Sequence, residues 1–153
     1  MKRKLQVLAA FLVPVYVIIL GFLAYALYHK QHDIRPTGQL NSIESLVNDT
    51  RSGYGKSPLA HSEALEEMAN TRCAEMVSLG KIDAHAGFYP LIRNQTTFSA
   101  MGENLAENYP ADKDLVNAWL ASPEHRDNML ANWQYTAAVR CGKYVVQLFG
   151  LYP

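Results

Sequence analysis

Tyr135-Thr136-Ala137-Ala138-Val139-Arg140-Cys141-Gly142-Lys143-Tyr144-Val145-Val146-Gln147-Leu148-Phe149 is the stretch that decides the fold class. Tyr135 to Arg140 and Lys143 to Phe149 read as two strands of an antiparallel hairpin. Cys141-Gly142 joins them, and Gly142 is the residue a tight two-residue turn wants. Before the hairpin the chain reads mainly as helix and loop, with His85 on a loop or a short strand. Helices followed by strands, without a regular βαβ alternation, indicate an α+β domain.

Working back from the hairpin, Leu40, Ile43, Leu46 and Val47 recur at helical spacing, with Gly53 and Gly55 as a stop, so a first helix is expected from about Gln39 to Arg51. Ser62 caps a second helix whose first turns carry Glu63, Glu66 and Glu67 at the positive end of the dipole. Leu65, Met68, Ala69, Arg72, Met76 and Leu79 trace one face of it, and Gly80 ends it. Phe88 to Ala100 reads as an irregular loop. Asp112 or Asp114 begins a third helix through Leu115, Val116 and Trp119. Ser122-Pro123 reads as the cap and first position of a short fourth helix carrying His125, Met129 and Leu130.

Three polar residues stand beside these apolar segments: His85, just past the second helix, Glu103 in Gly102-Glu103-Asn104-Leu105-Ala106, and His125 in Ser122-Pro123-Glu124-His125-Arg126. Two imidazoles and a carboxylate are ligand types for a borderline cation such as zinc, and three protein ligands with an open position describe an exchangeable or catalytic site. In this order, and with the closing strand Tyr144 to Gly150, the chain resembles the superfamily of cysteine-rich secretory proteins, antigen 5 and pathogenesis-related 1 (the CAP superfamily, SCP domain) in its compact bacterial form. The resemblance runs from about Leu40 to Phe149.

It implies an α-β-α sandwich with helices on both faces of a small antiparallel sheet, and a cleft lined by two histidines and two acids. His85, Glu103 and His125 match three of those positions. The second acid, three residues after Trp119, is replaced by Ser122, and Glu107 and Glu124 are the nearest acidic substitutes. Members of the superfamily also bind sterols and other lipids. The implied ligands are therefore Zn2+ or another divalent cation, or a lipid or small molecule.

At the other end of the chain, Met1-Lys2-Arg3-Lys4 precedes Leu5 to Tyr28, a stretch with no formal charge. About 20 apolar residues suffice to cross a membrane as a helix. Residues 1–4 are read as a cytoplasmic basic stub, 5–28 as an uncleaved transmembrane signal anchor, 29–38 as a polar tether and 39–153 as a single domain outside the cytoplasm. The alternative is secretion after signal-peptide cleavage near Ala24-Tyr25-Ala26. Three of the 14 basic residues belong to the stub, so the exported part is mildly acidic against 14 acidic residues. A mildly acidic domain with no basic stripe is a poor candidate for binding nucleic acid.

Cys73 and Cys141 either pair in an oxidising compartment or remain two buried thiols. His61, next to the helix cap, is expected to be solvated, and Trp119 and Trp133 to serve as core aromatics. Three functions follow: a binding module whose cleft is centred on His85, Glu103 and His125, a metal-assisted envelope hydrolase with Glu103 as base, or a purely structural interaction domain.

Overall fold

The computed structural model describes residues 18–23 and 39–153, which fall in two separate compact units. Residues 18–23 are helical, with Ile18, Leu20 and Leu23 exposed. The rest of the span read over 5–28, the stub 1–4 and the whole tether 29–38 lie outside the described residues. Among the described residues no helix is long and apolar enough to cross a membrane.

The second unit is an α+β fold. Helix α1 (Ser42–Gly53) is followed by β1 (Ala60–His61), α2 (Glu63–Leu79), α3 (Phe88–Asn94), β2 (Ala100–Glu107), α4 (Asp112–Ala121), α5 (Pro123–Leu130), β3 (Tyr135–Cys141) and β4 (Tyr144–Leu151). The strands form one sheet in the order β1-β3-β4-β2. β4 pairs antiparallel with both β3 and β2, whereas β1 pairs parallel with β3. The sheet is therefore mixed, which corrects the antiparallel expectation. A two-residue strand entering from α1 contributes only Ala60 and His61 to the ladder, too little to leave a strand signature in sequence.

Alternation along the strands separates two cores. Ala106, Ala138, Val145 and Phe149 join Ile43 and Val47 of α1, Leu115, Val116 and Trp119 of α4 and Met129 of α5. Leu105, Ala137, Val146 and Leu148 join Leu65, Ala69, Cys73 and Met76 of α2 with Phe88 and Phe98. Strand β4 is buried through nearly its whole length because helices pack on it from both sides.

Local capping sets the helix boundaries. The Asn41 side chain accepts the Ile43 and Glu44 N–H groups while Glu44 reaches back to the Asn41 N–H, a capping box that starts α1 later than the apolar spacing suggests. Ser62 caps α2, and Gly80 closes it in the left-handed region at φ 69°. Residues 88–94 are helical rather than looped. Pro90 falls in the first turn, where its missing N–H has no intrahelical partner to lose, and Phe88 anchors the segment in the core. The hairpin turn is Gly142-Lys143, one residue later than expected, because Cys141 still pairs with Tyr144; Gly142 carries φ 62°.

His61 is buried rather than solvated. Its Nδ1 lies 3.0 Å from Glu44 Oε2, and its Nε2 lies 3.4 Å from Glu66. Glu44 also accepts the Ala138 N–H, so this carboxylate ties α1, β1 and β3 together.

Cys73 of α2 and Cys141 of β3 form a disulfide with their Cα atoms 6.0 Å apart. Closing a loop of 68 residues restricts the unfolded chain by about 4 kcal/mol in the chain-entropy treatment. Replacing both cysteines with alanine is expected to lower the unfolding free energy by about 2–5 kcal/mol. Urea denaturation of the double variant beside the parent checks this, and an unchanged midpoint would count against the bond.

Candidate functional site

The site is built outward from Arg72. It sits on the buried face of α2 with Leu65, Ala69, Cys73 and Met76, and its guanidinium has no solvent exposure. Its Nε donates to Glu103 Oε1 at 2.7 Å, and Nη2 reaches Glu103 Oε2 at 3.4 Å. Asp83 is gripped through both oxygens, by Nη1 at 2.9 Å and Nη2 at 2.8 Å. Glu75, one turn along the same helix, also pairs with Nη1. Burial opposes the charge on Arg72, but hydrogen bonds to Asp83 and Glu103 outweigh it and push its pKa up. The same contact from Arg72 holds Asp83 down to about 2, against its own burial.

Asp83 then shapes the turn that carries His85. Ala84 and His85 have φ of 52° and 68°, a left-handed conformation that costs of order 1–3 kcal/mol per non-glycine residue. The Asp83 carboxylate accepts the His85 N–H at 3.1 Å and the Gly87 N–H at 2.9 Å, which stabilises that turn. His85 Nδ1 thereby comes within 2.8 Å of Glu103 Oε2, while its side chain remains 40% exposed. With Nδ1–H donating to the carboxylate, neutral His85 keeps its lone pair on Nε2.

Glu103 and Asn104 are consecutive residues of β2 and so face opposite sides of the sheet. Glu103 meets α2. Asn104 meets α5, donating to the His125 carbonyl at 3.1 Å. Asn128 of α5 donates to the Glu103 carbonyl and to Asn104 Oδ1, each at 3.0 Å. Gly102 precedes them because a Cβ there would come within 2.9 Å of the Trp133 ring; close approach, not an unusual backbone angle, requires the glycine. As β2 is an edge strand, α5 and the His85 turn approach each other round it. The His125 ring lies 6.4 Å from that of Trp119. Burial lowers the His125 pKa, the nearby His85 ring lowers it further, and Glu124 partly opposes both.

The structure thus joins His85 to Glu103 by a hydrogen bond and sets His125 within electrostatic reach of His85. Glu103 lies on β2, with its carboxylate shared between Arg72 and His85. Among the described residues, no group of three or more His, Cys, Asp or Glu side chains is arranged to hold a metal ion. Of the acids near the sequence gap at Ser122, Glu107 pairs with Lys143 at 3.1 Å and Glu124 is exposed. Sequence reasoning overlooked Arg72 and Asp83 as site residues. A charged residue on an otherwise apolar helix face, and an aspartate two residues before a candidate histidine, are the signals that mark them.

Residues 44–146 match the CAP family, the cysteine-rich secretory protein family, over more than half the chain. The chain belongs to this family. The CAP fold recurs in an outer surface protein from Borrelia burgdorferi at 20% identity and a TM-score of 0.64, covering 72% of this chain and 90% of that one. It recurs in a cysteine-rich secretory protein from Staphylococcus aureus, at 21% identity and TM-score 0.63, covering 71% of this chain and 36% of that one. An extracellular SCP-domain protein from Bacillus anthracis has 21% identity and TM-score 0.65, with coverage of 75% and 45%. This chain therefore spans under half of the latter two proteins, and at these identities the likeness shows the fold alone. Comparison with curated proteins finds no match.

Two expectations follow for this CAP domain. Arg72→Met leaves Glu103 buried without its counter-charge, and loss of one partner of a buried ion pair typically costs about 3–5 kcal/mol; a denaturant titration reads this directly. His125 has a folded pKa below its unfolded one, so protons favour the unfolded chain. Its stabilising contribution is present above about pH 6.5 and is lost as the pH falls through that value towards the depressed folded one. The denaturation midpoint should drop between about pH 7.5 and pH 5.5, and drop less in His125→Gln. Equal slopes for the two proteins would refute this assignment.

Proposed function

We propose that this chain is an extracytoplasmic CAP domain that acts as a binding module, with the imidazoles of His85 and His125 as the ligand-facing groups of its cleft. The carrying observation is the state of Glu103. Its buried carboxylate accepts Arg72 Nε–H, Arg72 Nη2–H and His85 Nδ1–H, so it serves as a positioning group for His85. A general base needs a free lone pair within reach of the proton it removes, and a carboxylate neutralised by a buried guanidinium is poorly placed for that work. The hydrolase reading is accordingly the weaker one.

Location outside the cytoplasm is supported by the Cys73–Cys141 disulfide, since such bonds persist in oxidising compartments. The basic stub and apolar run at the N-terminus support a membrane anchor, and the surface and extracellular descriptions of the Borrelia and Bacillus relatives agree with this placement. A divalent cation would be held by His85 and His125 alone, a two-histidine donor set that implies exchangeable rather than tight binding. Glu103 would orient His85 from behind, as carboxylates behind metal-binding histidines do.

Zinc titration calorimetry of the full chain, beside a His85→Ala, His125→Ala double variant of confirmed fold, tests this reading. Saturable one-to-one binding by the parent and none by the folded variant is the expected result. Glu103→Gln should weaken binding by about 10–100-fold without abolishing it. No zinc binding by the parent would sink the cation reading.

A further inference from the structure

Arg51 is the second fully buried guanidinium in the fold, and its situation is opposite to that of Arg72. It is 1% exposed, yet among the described residues no carboxylate pairs with it. Its partners are main-chain carbonyls: Nε donates to Ser57 O at 2.9 Å, and Nη1 donates to Met129 O at 2.6 Å and Ala131 O at 2.9 Å. Met129 and Ala131 lie at the C-terminus of α5, where the negative end of the helix dipole favours a cation. That gives Arg51 a structural role, but an incomplete one. A guanidinium carries five N–H donors. Three carbonyls engage Nε–H and the two Nη1–H groups, leaving the two Nη2–H donors unengaged.

Arg51 also lines a cavity of about 480 Å³, whose wall is apolar at Pro58, Trp133, Tyr135 and Leu151 and polar at Asn132 and Gln134. Among the described residues it is the only charged side chain in the wall. None of His85, Glu103 or His125 belongs to this cavity, which lies beside the β1–β3 end of the sheet. Its volume falls within the range of small-molecule sites, about 300–1,000 Å³. A buried cation lacking a counter-anion is costly, and burial already lowers the Arg51 pKa.

We propose that this cavity is a binding site for a small organic monocarboxylate, whose carboxylate accepts the free Nη2–H donors of Arg51 and whose apolar body lies against Trp133, Tyr135 and Pro58. One guanidinium matches one negative charge. The apolar part of the wall, Pro58, Trp133 and Tyr135, favours a carboxylate with an apolar tail over an inorganic anion, which would gain nothing from those contacts.

The test uses calorimetry on the full chain with 4-phenylbutyrate and its uncharged amide, and follows the Trp133 indole N–H resonance by NMR. The acid should bind saturably and shift that resonance. The amide should bind about tenfold or more weakly, because a hydrogen bond to a charged group is worth about 1.5–3 kcal/mol. Arg51→Gln should abolish the preference for the acid. Because that variant also loosens the α5 terminus, Ser57→Trp is the second arm. Ser57 is exposed and gives Arg51 only its main-chain carbonyl, so a bulky side chain there should block binding while leaving the melting temperature unchanged. Equal binding of acid and amide, undiminished binding by folded Ser57→Trp, or no binding of the acid would each overturn the proposal.

Discussion

The buried guanidinium of Arg72 is the constraint on which the rest of the candidate site depends. It links α2 to the His85 turn through Asp83 and to β2 through Glu103. A charge buried this deeply is tolerable only when it is paired and its donors are satisfied, so the carboxylates around it cannot be placed independently. Asp83 is fixed by Arg72, the turn is fixed by Asp83, and His85 Nδ1 meets Glu103 as a result. The geometry at His85 and Glu103 is therefore a consequence of charge compensation in the core.

The edge strand β2 transmits this order to the opposite layer. Glu103 and Asn104 differ by one residue and so by one face of the sheet, which lets a dipeptide bind α2 on one side and α5 on the other. The second histidine is held through main-chain contacts: Asn104 grips the His125 carbonyl, and Asn128 grips the Glu103 carbonyl. The imidazole of His125 is left to face its own surroundings, half-buried, near the Trp119 ring and within electrostatic reach of His85.

Polar burial recurs throughout the domain in the same style. Glu44 and His61 join α1, β1 and β3 at one end, Arg72 and its acids join α2 and β2 at another, and Arg51 holds the end of α5 through carbonyls alone. The first two pair one polar side chain with another within the domain. The third is compensated only by dipoles, which is why the cavity beside it stands out chemically from the apolar cores.

What sequence by itself determined is what local physics determines. The hairpin, the α2 cap at Ser62, the stop at Gly80 and the opening of α5 at Ser122-Pro123 follow from turn chemistry, capping and periodicity. The resemblance carried by His85, Glu103 and His125 located the family. Strand β2 was not legible because Gly102, Glu103 and Asn104 break the apolar alternation, and each is explained only by a tertiary partner: Trp133, Arg72 and Asn128. Strand β1 was too short to leave a pattern, and its parallel pairing with β3 depends on how the chain returns from α1. The position of Phe88 hid a helix because Pro90 reads as a breaker unless its place in the first turn is known. Only the tertiary structure decided that Glu103 serves a buried arginine and orients His85, because a carboxylate's role is set by which charges the fold brings within a few ångströms of it, and sequence spacing carries no information about that distance.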